Sequence, residues 1–91
     1  MPHKRQAVRL TGRERSALLK RLEDPRLAPR QRRRIEALVR SDAGEPDRAI
    51  ADDLGVSTRT VAMIRRNFAL GGVHAAVDAA GRWPSPLLDG S

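Results

Sequence analysis

Apolar residues recur along this chain at the spacing of helix faces, and no stretch alternates as a strand would. The pattern is clearest over Asp47–Phe68. There Ile50, Ala51 and Leu54 share one face, and Val61, Ile64 and Phe68 share another. Gly55 falls between them, where a helix end favours a residue that tolerates positive φ. Ser57 stands where the next helix needs an N-cap, its hydroxyl able to accept from an N–H near Thr60. Val56 fills the corner, and Ala51 is small where two helices cross. The spacing predicts a helix over about Asp47–Leu54, a tight turn, and a second helix over about Thr58–Leu70. That is the sequence shape of a helix-turn-helix.

Upstream, Thr11-Gly12-Arg13-Glu14 has the form of a capping box and opens a helix expected to reach Glu23. Leu18, Leu19 and Leu22 make its apolar stripe, with Ala17 at the edge and Arg13, Lys20 and Arg21 largely outside. Asp24-Pro25 ends it, since a residue before proline is pushed out of helical geometry. Leu27–Ser41 contains the next helix, with Pro29 in its first turn and Ile35, Leu38 and Val39 on its buried face. Arg30, Arg32, Arg33 and Arg34 are expected on the other faces. There they repel one another and oppose the helix dipole, so a phosphate backbone would compensate them. Arg32 and Glu36 are spaced to pair. Residues 42–46 form a break, with Gly44 suited to a helix C-cap and Pro46 to opening the next helix. Gly71-Gly72 should stop the fourth helix, and Val73–Ala79 should tuck Val73 and Val77 onto the bundle. Residues 1–9 read as a basic flexible arm, 10–80 as the domain and 81–91 as an extended tail. Trp83, in that tail, is expected to cover an apolar edge of the core or to meet a partner.

Composition narrows the chemistry. The chain has 91 residues, so a modest core must hold it together. It is 40% hydrophobic but only 2% aromatic, which leaves Leu, Ile, Val and Ala to fill that core. There is no cysteine, and His3 and His74 lie far apart, so no metal site is expected. Asp52 and Asp53 are adjacent on a helix and point to different faces, which is poor for a shared metal. No nucleophile with a base, phosphate loop or carboxylate cluster stands out, so an enzyme, a cofactor and a small-molecule substrate are not expected. No apolar run approaches the roughly 20 residues that span a membrane. The basic N-terminus lacks the apolar stretch of a secretion signal, so the expected location is cytoplasmic, at the nucleoid.

The net charge of +7 is uneven. Residues 1–40 carry 13 Lys or Arg against 4 Asp or Glu, and residues 41–91 carry 5 against 7. Arginine supplies 16 of the 18 basic residues, which favours bidentate contacts to phosphate and guanine. A basic half beside a helix-turn-helix points to double-stranded DNA. Arg59, Met63 and Arg66 lie on one outward face of the fourth helix, with Thr58 and Ala62 beside them. Arg59 is placed to contact guanine, and Met63 or Ala62 to meet a thymine methyl. Ser57, Thr60 and Arg65 are placed for phosphates, and Arg48, Arg33 and Arg34 for the backbone next to the motif. A homodimer would extend the reach of so small a module. The Leu18, Leu19 and Leu22 stripe or the Trp83 tail would supply its seam. The rival reading is a protein-interaction module or antitoxin-like adaptor on the same helices. RNA binding is disfavoured, because one tryptophan and one phenylalanine offer little to stack on.

The chain also resembles the N-terminal DNA-binding region of IS630-type transposases, of the wider IS630/Tc1/mariner superfamily. The resemblance rests on Val8-Arg9-Leu10-Thr11 with Glu14-Arg15, and on the arginine-rich second helix with Ile35, Leu38 and Val39. It continues through Ala49-Ile50-Ala51, Leu54-Gly55-Val56-Ser57, Thr60-Val61-Ala62, Arg65-Arg66, Phe68 and Gly72. Ile64 stands where that family often has tryptophan, so base preference does not carry over. The resemblance implies a DNA-binding domain of a transposase or a transcriptional regulator, and the family's nuclease domain is expected to be absent. The expected fold is all-α. It is a small helical bundle with a homeodomain-like tri-helical core, made by the second, third and fourth helices, plus the N-terminal helix.

Overall fold

A computed structural model describes residues 8–78. Residues 1–7 of the arm and the tail with Trp83 lie outside the described residues. Among the described residues all regular structure is helical: α1 (Gly12–Arg21), α2 (Pro29–Asp42), α3 (Asp47–Leu54), α4 (Thr58–Val73) and a π-helical turn (His74–Asp78). Helices α2, α3 and α4 pack against one another, α1 packs on α2, and the π turn closes against α2 and α4. Leu18, Ile35, Leu38, Ile50, Val61 and Val77 are the largest fully buried side chains, so every element sends at least one residue into a single core.

Local chemistry explains where the helices begin and end. The Thr11 hydroxyl accepts from the Glu14 N–H at 3.0 Å, and the Glu14 carboxylate accepts from the Thr11 N–H at 2.9 Å. Both halves of the capping box therefore form at α1. Pro29 opens α2 behind Ala28. Pro46 is the N-cap of α3 rather than its first residue, its extended backbone (ψ 152°) leading the chain into the helix. Gly55 ends α3 in the left-handed region, at φ 71° and ψ 33°. At the far end of α4, Gly72 holds φ 76° and ψ −165°, a backbone conformation open essentially to glycine alone. The helix breaks there and the chain returns to bury Ala76 and Val77. A Cβ at Gly71 would meet the Ala75 Cβ at 2.6 Å, so the π turn lies too close to α4 for any side chain at that position.

Several expectations change. Val8, read as part of the arm, is buried, and the Leu10 N–H donates to Asp42 Oδ1 at 3.0 Å. Asp42 also accepts from Arg15 at 2.9 Å, so one carboxylate at the end of α2 holds both the entry to α1 and α1 itself. The leucine stripe of α1 divides: Leu18 is buried, Leu22 half-buried and Leu19 41% exposed. The seam proposed for a dimer is thus largely used inside one chain. Arg32 does not reach Glu36. Its guanidinium donates to the carbonyls of Leu22 and Asp24 at 3.0 and 3.4 Å, satisfying acceptors past the end of α1.

Candidate nucleic-acid interface

The turn between α3 and α4 is built from short-range bonds. The Val56 N–H donates to the Ala51 carbonyl at 3.0 Å as the chain leaves α3. Ser57 Oγ then accepts from the Thr60 N–H at 3.1 Å, and the two hydroxyl oxygens lie 3.1 Å apart. One of those hydroxyl protons is shared between them, and the other remains available to an outside acceptor.

Beyond this cap, the inward face of α4 carries Val61 and Ile64, both buried, and half-buried Phe68. The outward face carries Thr58, Arg59 and Arg66, all exposed, with Ala62 and Met63 half-buried between them. The helix therefore presents a shallow apolar strip flanked by two guanidinium groups. Arg48, in the first turn of α3, is exposed as well.

Charge pairing separates the arginines into two groups. Arg15 is held by Asp42, Arg21 by Asp78, and Arg40 by Glu45 and Asp53. Arg65 donates to Asp47 at 2.6 Å. Arg48, Arg59 and Arg66 make no ion pair among the described residues. Arg48, Arg59 and Arg66 thus leave positive charge around the turn and along the open side of α4, the pattern a polyanion meets.

A family profile for a homeodomain-like domain matches residues 28–77, from the cap of α2 to the π turn and over half the chain. The chain belongs to the homeodomain-like family. No curated protein and no solved structure matches it. The third helix of the matched core is α4. The family and the exposed basic side of α4 both point to DNA as the partner. Among the described residues no group of three or more His, Cys, Asp or Glu is placed to hold a metal ion. Nor, among the described residues, is any helix long and apolar enough to cross a membrane.

Three expected contacts change place within this domain. Arg65 was expected to face phosphate. Its side chain is only 12% exposed, and it ties α4 to the start of α3. Arg34 was expected on the backbone-facing side of α2. It is 7% exposed, and burial lowers its pKa, with Arg30 and Arg33 adding repulsion. Arg33 is exposed, but not next to the motif. It lines a cleft with Val77 and Asp78, whereas the opposite end of α2 reaches the α3 side through Arg40 and Asp53. The Asp42, Asp47 and Asp78 contacts went unforeseen. Their partners lie 27, 18 and 57 residues away, and nothing in local spacing signals them.

Proposed function

We propose that this chain binds double-stranded DNA in a sequence-dependent manner, with α4 in the major groove and no chemical step on the DNA. The observation that carries the reading is the outward side of α4. Arg59, Met63 and Arg66 are stacked along it, and neither guanidinium is claimed by an acid among the described residues. Arg59, in the first turn, is the base-reading residue and takes guanine through its two parallel N–H donors. Ala62 and Met63 offer apolar surface to a thymine methyl. Arg66 continues the same face towards the groove wall. The spare hydroxyl proton of the Ser57–Thr60 pair, together with Thr58 and Arg48, meets the phosphates on either side of the helix N-terminus.

The resemblance to IS630-type transposases supports a role as a transposase-type DNA-binding domain or a transcriptional regulator. One copy covers only a few base pairs. A homodimer on a palindromic site would place two recognition helices in adjacent major grooves. Sedimentation of the protein with duplex reads that stoichiometry.

The test is selection of duplexes from a random library, by wild type and by Arg59→Ala. The wild type is expected to return a defined consensus. Arg59→Ala should cost about 1–3 kcal/mol and blur one base position. An Arg59→Ala variant with unchanged affinity and consensus contradicts the proposed docking.

A further inference from the structure

The first turns of α2 carry a second basic cluster. Arg30, Gln31, Arg33 and Arg34 line an open cleft of about 590 Å³ with Val77 and Asp78 of the π turn. Arg30 and Arg33 are exposed, and their side chains make no ion pair among the described residues. Asp78 is the acid on the cleft wall, and it is already committed. Its carboxylate accepts from Arg21 at 2.9 and 3.2 Å and from Gln31 at 3.0 Å. Arg30 and Arg33 therefore leave an uncompensated positive charge at the mouth, and after burial itself their repulsion is the further cause that lowers the pKa of Arg34.

The position of the cleft sets what it meets. The π turn follows α4 directly, so the cleft lies where α4 leaves the groove, remote from Arg59 in its first turn. The helical part of α4 is about 20 Å long at ~1.5 Å per residue. The major groove is only about 12 Å wide, so phosphates at that distance lie outside the base pairs that α4 reads.

We infer that Arg30 and Arg33 form a second phosphodiester-binding surface, which grips the flank of the duplex on the side where α4 exits the groove. The inference rests on the α4 docking, and it adds a contact that carries no base information. It also gives the arginine-rich start of α2 the counter-charge that its own helix dipole withholds.

The experiment uses the consensus duplex with about 2 or about 10 base pairs of flank, varied on each side separately and titrated by anisotropy at several salt concentrations. For the wild type, the longer flank on one side alone should tighten binding by roughly tenfold, the order expected for two phosphate contacts. In Arg30→Ala/Arg33→Ala this dependence should vanish and the salt slope should fall by about 2, with the consensus unchanged. Arg30→Lys/Arg33→Lys should keep most of the slope. Circular dichroism confirms the fold, and Gln replaces Ala if helicity drops. Equal flank dependence in wild type and the double variant overturns the inference. So does a loss of equal size on the short duplex, or a cluster that acts only by joining two duplexes. An altered consensus in Arg59→Ala with no effect at Arg30 and Arg33 sinks this inference alone. An unaltered consensus in Arg59→Ala sinks the docking beneath it.

Discussion

Arg65 and Arg66 are neighbours with opposite environments. The Arg65 guanidinium lies inside the α3–α4 corner against Asp47, both side chains less than a fifth exposed. Arg66 points to solvent. Arg65→Ala removes a charged hydrogen bond and strands the Asp47 carboxylate in a half-buried site. It should lower stability by about 1.5–3 kcal/mol in urea unfolding. Arg66→Ala should stay within about 0.5 kcal/mol of wild type and weaken DNA binding instead. Equal losses of stability from the two variants would show that the corner is not held as described. Helical periodicity could not have told these residues apart. It sorts apolar positions from polar ones, but a long arginine fits on either side, and its acidic partner lies far along the chain. The same limit hid the inward turn of Arg34. Arg59 was legible, because its place two residues after a recognisable cap fixes its direction.

At the scale of elements, the helix ends were the most legible part of the chain. Capping at Thr11 and Ser57 and the left-handed turn at Gly55 depend on residues within three or four positions, so the local sequence contains the whole cause. Ser57→Ala should therefore cost about 1 kcal/mol, read by thermal unfolding, and should loosen the start of α4. The π turn is different, because its anchor is tertiary. Asp78 is held by Arg21, with Gln31 donating and His74 nearby. Its pKa is lowered from the ordinary 3.8, chiefly by the hydrogen bond from Arg21. A carboxylate whose folded pKa is depressed adds stability above its unfolded pKa. That stability is lost as pH falls through the folded value. Asp78→Asn should thus be less stable than wild type near neutral pH and match it once the pH has fallen below the folded-state value. The difference should be small, as for most half-exposed pairs. A gap that persists in acid would mean that packing, not the ion pair, holds the turn.

For the whole molecule, one small core serves both stability and presentation of the reading face. Ile35, Leu38, Ile50 and Val61 come from three helices and meet in the same interior. Ile35→Ala should cost about 2–5 kcal/mol, a large share of the ~5–15 kcal/mol that holds a typical domain. DNA binding should fall with it wherever the variant is partly unfolded, and saturating duplex should restore the melting temperature in part. The all-helical class and the tri-helical arrangement were legible from apolar spacing, because α2, α3 and α4 each show a clean buried face. The docking of Val8 and of the π turn was not, since single apolar residues in short segments carry no period. The distribution of charge is likewise a property of the folded whole. Ion pairs silence Arg15, Arg21, Arg40 and Arg65, and they leave Arg48, Arg59 and Arg66 around α4 and Arg30 and Arg33 at the start of α2 to act outward. The most direct test of that arrangement is an amide-resonance map of the protein titrated with its selected duplex. The account predicts the largest shifts over Ser57–Arg66 and little change at the outer surface of α1. A map centred on α1, with the outward side of α4 undisturbed, would contradict it.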